Sequence, residues 1–160
     1  MPAVLFVCTA NVCRSPMAAA LFSAQLARRA AGVAAEEWTI SSAGTWAVDG
    51  FPATAHALEA VAAKGIDLAP HRSRLLNEAS LDAADLVLVM TRSHREAILA
   101  ECPSAAGKVY LLSQMVGQTF DVRDPYGESR MEYEYCADHL QGLIEQGFER
   151  ILELARLNHQ

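Results

Sequence analysis

The sequence predicts an α/β fold: a single three-layer αβα domain, residues 1–160, built on a four-stranded parallel sheet. Three observations lead to this prediction. Short apolar runs alternate along the chain with longer segments rich in helix-forming residues, which is the pattern of β–α–β units. The 160 residues fit one domain with a hydrophobic core. The sequence contains no repeat, low-complexity tract or linker at which a second domain would begin.

Each predicted strand is a short apolar run of the kind found in strands buried on both faces of a sheet. The helices are assigned from alanine- and leucine-rich segments and from their start and stop residues. The first helix is predicted to begin with Ser15 as N-cap and Pro16 at its first position, and to end near Gly32. The predicted strands are 4–7, 38–41, 86–90 and 108–112, and the other predicted helices are 53–64, 93–100 and a long one from the loop 121–127 to the C-terminus.

Composition and charge restrict the classes of partner. With 52% hydrophobic and 20% charged residues, the chain is typical of a soluble globular protein, and its net charge of -6 argues against a nucleic-acid partner. No run approaches the roughly 20 apolar residues of a membrane span, and the N-terminus lacks a secretion signal, so we expect a cytoplasmic protein. The four cysteines form neither a secreted disulfide framework nor a zinc pattern, and no metal or cofactor is expected.

The segment from Cys8 to Ser15 connects the first predicted strand to the first predicted helix. Ligands of parallel sheets bind at the carboxyl ends of strands, and a helix N-terminus favours anions and thiolates. Five residues separate Cys8 from Arg14, a length at which the loop amides can surround one phosphate, with the sulfur beneath it and the guanidinium beside it. Ser15 can donate a hydrogen bond to the thiolate, and Asn11 can adopt a positive φ. These residues predict a phosphate-binding loop with Cys8 as nucleophile.

Phosphate transfer to Cys8 also needs a proton donor for the leaving oxygen and a base for the attacking water. The loop Asp124-Pro125-Tyr126-Gly127 supplies a candidate, because proline stiffens the backbone beside the carboxyl group. Taken alone, the same four residues are better explained as a simple turn. Asp121 is a second candidate nearby.

The run Val7-Cys8-Thr9-Ala10-Asn11-Val12-Cys13-Arg14-Ser15-Pro16 resembles the signature of the low-molecular-weight protein tyrosine phosphatases. The resemblance implies that Cys8 is the nucleophile, that Arg14 clamps the phosphate and that Asp124 is the general acid. It also implies that three residues after the second strand support the loop through Asn11, and that Cys13 protects Cys8 from over-oxidation by forming a disulfide with it. The phosphate-loop and supporting residues assigned in this way are Thr9, Ala10, Asn11, Val12, Cys13, Ser15, Ser42, His71 and Arg74.

Two of the assigned side chains have a structural alternative. Trp46 and Tyr126 can form cleft walls that accept an aromatic leaving group, although Trp46 is nearly as well explained by core packing. His71 is equally well explained as a surface or capping histidine.

Position 10 departs from the family pattern, and position 12 bears on the choice of substrate. Position 10 is Ala where the family usually has Gly, so the loop backbone there must accept a Cβ atom. At position 12, the resemblance associates Thr with relatives that act on phosphoarginine and a bulky aliphatic residue with tyrosine phosphatases. Val12 lacks the threonine hydroxyl and therefore favours phosphotyrosine.

The sequence thus predicts a cysteine-dependent hydrolase of protein phosphotyrosine, acting as a monomer or weak dimer on phosphorylated proteins. A protein-arginine phosphatase on the same fold is the alternative. Two more remote functions are a thiol-dependent arsenate reductase, for which residues 80–90 lack the expected cysteine pair, and a non-catalytic phospho-binding module, which would need neither Cys8 nor Asp124.

Overall fold

Four parallel strands form one sheet, which confirms the predicted α/β class. The computed structural model describes residues 1–29 and 37–159. Its strands are β1 (Ala3–Cys8), β2 (Thr39–Gly44), β3 (Leu86–Val89) and β4 (Val109–Leu111), and they lie in the order β2-β1-β3-β4. Each of the three strand pairings is parallel.

Helices cover both faces of the sheet, because successive strand residues point to opposite sides. Val4 and Phe6 of β1 pack in one core, and Leu5 and Val7 pack in the other. The helices are α1 (Arg14–Arg29), α2 (Ala55–Ala62), α3 (Glu78–Ala83), α4 (Arg92–Glu101) and α5 (Arg130–Asn158). The first core lies beneath α1, α2 and α5, and the second beneath α3 and α4.

The start of α1 differs from the prediction. The helix begins at Arg14, and the Met17 amide donates to the Cys13 carbonyl at 3.2 Å, so Cys13 rather than Ser15 takes the N-cap position. Ser15 lies inside the helix and uses its hydroxyl for other contacts. The predicted helix end near Gly32 lies outside the described residues.

Three short elements were not predicted, and one strand is shorter than expected. Helix α3 has only six residues and starts at a reciprocal capping box between Asn77 and Ser80. The predicted strand 108–112 ends at Leu111, where the chain turns into a 3-10 helix over Leu112–Val116. A second 3-10 helix covers Pro103–Ala105.

The strand order places the loops after β1 and β3 side by side. From β1 the chain moves to β2 at one edge, and it then returns to β3 on the opposite side of β1. Val7 is paired with Val89, so both strands end at the same level. Successive strands are thus added to the sheet on opposite sides of β1, and open α/β sheets bind their ligands at such a switch point.

Over residues 1–29 and 37–159, none of the helices combines the length and the apolar character that crossing a membrane would require.

Candidate active site

Five carbonyl groups of the loop between β1 and α1 accept hydrogen bonds from groups outside the loop. Most of the donors belong to the segment between β2 and α2 or to the chain that follows α2. The pairs are Cys8 O with Thr45 N (2.9 Å), Thr9 O with Trp46 N (3.0 Å), Asn11 O with His71 Nε2 (2.7 Å), Val12 O with Thr54 N (3.0 Å) and Cys13 O with Met17 N (3.2 Å).

The loop amides are turned the other way. A trans peptide holds its C=O and N–H on opposite sides, and none of the described peptides is cis. The N–H groups that follow those five carbonyls therefore face away from the surrounding protein. Among the described residues, the amides of 9–13 donate to no protein acceptor. Such a ring of converging N–H groups at a helix N-terminus is an anion-binding nest.

Asn11 holds the loop in shape. It is fully buried and has a φ of 59°, the positive value expected for it. Its Nδ2 donates to Ser15 Oγ at 2.7 Å and to Ser42 Oγ at 3.0 Å, and its Oδ1 accepts from the Arg74 amide at 2.9 Å. His71 donates to the Asn11 carbonyl from the same side. The structure thus brings together the residues assigned to loop support.

His71 and Arg74 occupy different environments. The His71 ring is half-buried, and burial is the main cause that lowers its pKa, with Arg72 and Arg74 contributing and the contact to Asn11 opposing. The Arg74 guanidinium donates from Nε and Nη2 to the Ser42 carbonyl at 3.3 and 3.2 Å. Both residues therefore tie the chain after α2 to the loop and to β2.

Cys8 lies at the base of the nest. Its Sγ is 3.0 Å from Ser15 Oγ. Since Ser15 Oγ already accepts from Asn11, its single proton has two acceptors in reach, the Cys8 sulfur and the Ala43 carbonyl, and a thiolate at Cys8 would attract it more strongly than a neutral carbonyl. Ser15 also lies 3.4 Å from the Ala43 carbonyl.

Arg14 is a buried cation with incomplete protein contacts. Its Nη1 donates to the Val122 carbonyl at 2.9 Å, and its Nη2 donates to Thr9 Oγ1 at 3.3 Å. Nη2 also lies 3.5 Å from Asp124 Oδ2. Among the described residues, Arg14 Nε is buried and has no hydrogen-bond partner. A buried donor left in this state needs an acceptor, and a phosphate oxygen fits a guanidinium edge.

The two candidate acids are placed differently. Asp124 lies at the mouth of the nest, with a side chain 46% exposed, and its Oδ1 accepts from the Tyr126 amide at 3.0 Å. Asp121 is bound to Arg92, whose amide and Nε donate to its Oδ1 at 2.9 and 3.3 Å. The contact with the Arg92 amide is the main cause that lowers the pKa of Asp121. Only Asp124 lines the cavity above Cys8.

That cavity has a volume of about 190 Å³ and is lined by the loop, Asp124 and Tyr126. A second, more open groove of about 400 Å³ adjoins it, and Ala10, Val12 and Tyr126 line both. Trp46 lines the groove with 85% of its surface exposed, so the core-packing alternative for Trp46 is wrong. Ala10 is exposed and does not have a positive φ, which explains how the backbone accepts a Cβ there.

Cys13 lies in the same loop but faces another environment. Its Sγ is 3.3 Å from Tyr133 Oη and 3.6 Å from Thr54 Oγ1. Burial is the main cause that raises the pKa of its thiol, and hydrogen bonds from Tyr133 and Thr54 oppose it. Cys8 and Cys13 are both free thiols in this structure.

Two site residues were missed by the sequence reasoning or underrated by it. His94, at the start of α4, lies 2.8 Å from Thr9 Oγ1 across 85 positions of sequence, and no local pattern marks that contact. The second is Gly44, the last residue of β2. A Cβ atom at Gly44 would lie 2.3 Å from the Thr9 carbonyl oxygen, so the glycine allows β2 to approach the loop.

Comparisons with known proteins agree with this geometry. The model of the family "Low molecular weight phosphotyrosine protein phosphatase" matches residues 3–158. A probable low molecular weight protein-tyrosine-phosphatase, EpsP, from Ralstonia solanacearum is 37% identical over 151 residues, 94% of this chain and 97% of that protein. A protein-arginine-phosphatase from Geobacillus stearothermophilus is 39% identical over 149 residues, 92% of this chain and 95% of that protein. The crystal structure of a low molecular weight protein tyrosine phosphatase from T. tengcongensis has a TM-score of 0.86 and 40% identity, and the match covers 94% of this chain and 99% of that chain.

The family match spans nearly the whole chain, and the related proteins match it over almost their full lengths. Their shared fold is the four-stranded parallel sheet with the loop between β1 and α1 described above. The chain therefore belongs to the low molecular weight phosphotyrosine protein phosphatase family and is a cysteine-dependent phosphoric monoester hydrolase.

Proposed function

We propose that this protein hydrolyses phosphotyrosine in protein substrates through a phosphate ester of Cys8. The observation that carries the proposal is the nest itself: loop amides turned away from the protein, together with an Arg14 Nε that has no acceptor within the described part of the chain, around one cysteine sulfur. Donors fixed in advance around the three equatorial oxygens are what phosphoryl transfer requires, because most of its catalysis is positioning and charge stabilisation.

In the first step, the Cys8 thiolate attacks phosphorus in line with the leaving oxygen. The S–P bond forms while the P–O bond to the tyrosine breaks, and Asp124 gives its proton to the departing phenolate oxygen. Arg14 and the amides of the loop hold the equatorial oxygens. Trp46 and Tyr126 are exposed beside the cavity and are suited to contact the substrate ring and the chain around it.

In the second step, water attacks the phosphorus of the cysteinyl phosphate. Asp124, now ionised, takes a proton from that water, and the S–P bond breaks to release phosphate and the Cys8 thiolate. The Ser15 hydroxyl, 3.0 Å from the sulfur, stabilises the thiolate as it leaves. Asn11, with Ser42, His71 and Arg74 behind it, keeps the loop in one conformation through both steps.

Replacing the nucleophile tests the proposal. Cys8→Ser is expected to abolish hydrolysis of p-nitrophenyl phosphate while leaving phosphate binding measurable. Cys102→Ser is the matched control, since Cys102 lies after α4, away from the nest, and among the described residues its thiol hydrogen-bonds only to Ser104. Rapid acid quench of the wild-type enzyme should trap phosphocysteine at position 8. A Cys8→Ser enzyme that remains active in the presence of a metal would refute the proposal.

Phosphoarginine is the alternative substrate. This alternative is supported by the similarity of the chain to the protein-arginine-phosphatase from Geobacillus stearothermophilus, with which it shares 39% identity. The choice depends on Val12, which lines both the cavity and the groove. We expect phosphotyrosine peptides to have the higher kcat/KM. Val12→Thr, which keeps the side-chain shape and adds a hydroxyl, should shift the ratio toward phosphoarginine. Val12→Ile, which adds only a methyl group, should not; a higher kcat/KM for phosphoarginine in the wild type would reverse the assignment.

Three further parts of the proposal concern the setting of the enzyme. The compartment is the cytoplasm, where thiols stay reduced. The protein acts as a monomer or weak dimer, which sedimentation equilibrium will test. Under peroxide, Cys8 is oxidised to the sulfenic acid and condenses with the Cys13 thiol, releasing water and forming a disulfide. Recovery of activity by dithiothreitol in the wild type, but not in Cys13→Ser, would support that protective role.

A further inference from the structure

A chain of hydrogen bonds runs from the start of α4 to Arg14. The Thr91 amide donates to His94 Nδ1 at 3.2 Å, His94 Nε2 lies 2.8 Å from Thr9 Oγ1, and Arg14 Nη2 donates to the same oxygen at 3.3 Å. His94 is buried. The chain joins the loops after β1 and β3, which the sheet places side by side.

The donors and acceptors in this chain follow from its two ends. A backbone N–H can only donate, so His94 Nδ1 is the acceptor and carries no proton. The neutral ring then has its proton on Nε2, which donates to Thr9 Oγ1. Arg14 also can only donate. Both lone pairs of Thr9 Oγ1 are therefore occupied, one by His94 and one by Arg14, and the hydroxyl is fixed in orientation.

We propose that His94 is a positioning residue for the phosphatase reaction, which acts through the Thr9 hydroxyl to hold the Arg14 guanidinium in its phosphate-binding orientation. The Val122 carbonyl fixes Nη1, and Thr9 fixes Nη2. With these two atoms held, the plane of the guanidinium is set and Nε is left for a phosphate oxygen. The inference rests on the proposed function at Cys8.

The buried environment of His94 favours the neutral ring that this chain requires. Burial is the main cause that lowers its pKa to about 4, Arg14 lowers it further, and Asp124 and Asp121 oppose that change. A second proton would sit on Nδ1, opposite the Thr91 N–H, and break the contact at the helix start. The ring is therefore neutral throughout the physiological pH range, and Thr9 keeps both of its contacts.

Two amide variants separate this role from the ordinary capping role of His94. In His94→Asn, the side-chain oxygen takes the place of Nδ1 and keeps the contact with the Thr91 amide, but the side chain is too short to reach Thr9. In His94→Gln, the terminal NH₂ takes the place of Nε2 and keeps the donor to Thr9, but the contact with Thr91 is lost. Neither variant titrates.

Activity and stability should therefore respond in opposite ways. His94→Asn is expected to lower kcat about ten- to a hundredfold, the size of effect that follows from a misplaced catalytic group, and to weaken inhibition by inorganic phosphate. His94→Gln should recover most of that loss while being the less stable of the two to urea. Asn77→Ala, which removes the capping box of α3 outside this chain, should lower stability with kcat retained.

A double-mutant cycle with Thr9→Val completes the test, with kcat and the inhibition constant of phosphate measured where all variants are folded. If His94 acts through Thr9, the double variant Thr9→Val/His94→Asn should be no slower than Thr9→Val alone. Additive losses, or a His94→Gln enzyme as slow as His94→Asn, would overturn the inference. These results are separate from the fate of the proposed function, because an active Cys8→Ser enzyme would end that proposal whatever the His94 variants do.

Discussion

Arg14 is held on three sides by protein groups, yet its charge is only partly balanced. It is 4% exposed, and the carboxylate nearest to it, Asp124, is 3.5 Å away and half open to solvent. Burying a guanidinium without a full set of acceptors costs free energy, which a bound oxyanion recovers. The buried Arg14 guanidinium therefore costs the free protein some stability and strengthens its binding of phosphate. Asp124 is held only loosely by Arg14, at 3.5 Å, and is available for proton transfer.

The separation of Asp124 from Asp121 leads to a prediction at this scale. Asp124→Asn should lower kcat about 10²- to 10⁴-fold, because an amide can neither protonate the leaving oxygen nor activate water. The loss should be largest for phosphotyrosine and smaller for p-nitrophenyl phosphate, whose leaving group needs less protonation. Inhibition by inorganic phosphate should change little. Steady-state kinetics with both substrates will measure this.

Asp121→Asn is the matched control. Asp121 lies three residues away and is bound to Arg92 rather than to the cavity, so its amide variant should keep kcat close to the wild type. A loss in Asp121→Asn equal to that in Asp124→Asn would move the general acid to Asp121.

At the scale of elements, the loop depends on how closely β2 approaches it. The Gly44 amide donates to the Arg74 carbonyl at 2.9 Å, and the Thr45 and Trp46 amides that follow hold two loop carbonyls. A Cβ at Gly44 would meet the Thr9 carbonyl at 2.3 Å and the Asn11 amide nitrogen at 3.0 Å. Both are backbone atoms of the nest, so the loop itself would have to move.

We therefore expect Gly44→Ala to lower kcat about a hundredfold and to weaken phosphate binding, since small displacements of catalytic groups have effects of that size. Gly142→Ala in α5 is the control, because apart from the surrounding turns of α5 itself no atom of the described residues lies within 4 Å of a Cβ there, and alanine favours helix. It should keep full activity and be slightly more stable in urea. A Gly44→Ala enzyme with wild-type kcat would show that the loop tolerates the displacement.

Much of the fold and part of the site follow from local sequence patterns. The apolar runs of β1 and β3 and the helix signals around α2, α4 and α5 predict those elements within a few residues. Helix α3 is missed because six residues give too little hydrophobic periodicity. The start of α1 is misplaced because Ser15 looks like a cap, whereas its hydroxyl serves Cys8 and Asn11.

The contact between Thr9 and His94 cannot be predicted from local sequence patterns, because it arises only when β1 and β3 lie side by side in the sheet. Nothing within either segment predicts that pairing. The role of Gly44 is also hidden, since the close approach involves a strand and a loop far apart in sequence. Motif residues can thus be assigned from sequence, but the groups that orient them require the sheet order.

At the scale of the whole molecule, His94 links the stability of the fold to pH. Its pKa is about 4 in the folded protein and about 6.5 in the unfolded chain. Between these values the unfolded state binds more protons, so stability is complete above about pH 6.5 and falls as the pH drops toward 4. The lowered pKa of His71 acts in the same direction. Asp121, also with a lowered pKa, contributes stability that is fully present above its ordinary pKa of 3.8 and is lost only below that pH.

Urea unfolding at pH 7 and pH 5 tests this linkage. From the two pKa values of His94, the wild type should lose about 2 kcal/mol more than His94→Gln between these pH values, because glutamine binds no proton in either state. His71 is present in both proteins, so its contribution cancels in the difference. The variant is expected to be less stable at pH 7, because it lacks the contact between the side chain at position 94 and the Thr91 amide. That loss does not change how its free energy of unfolding depends on pH. Equal pH slopes for the two proteins would mean that the His94 ring is not held neutral by the fold.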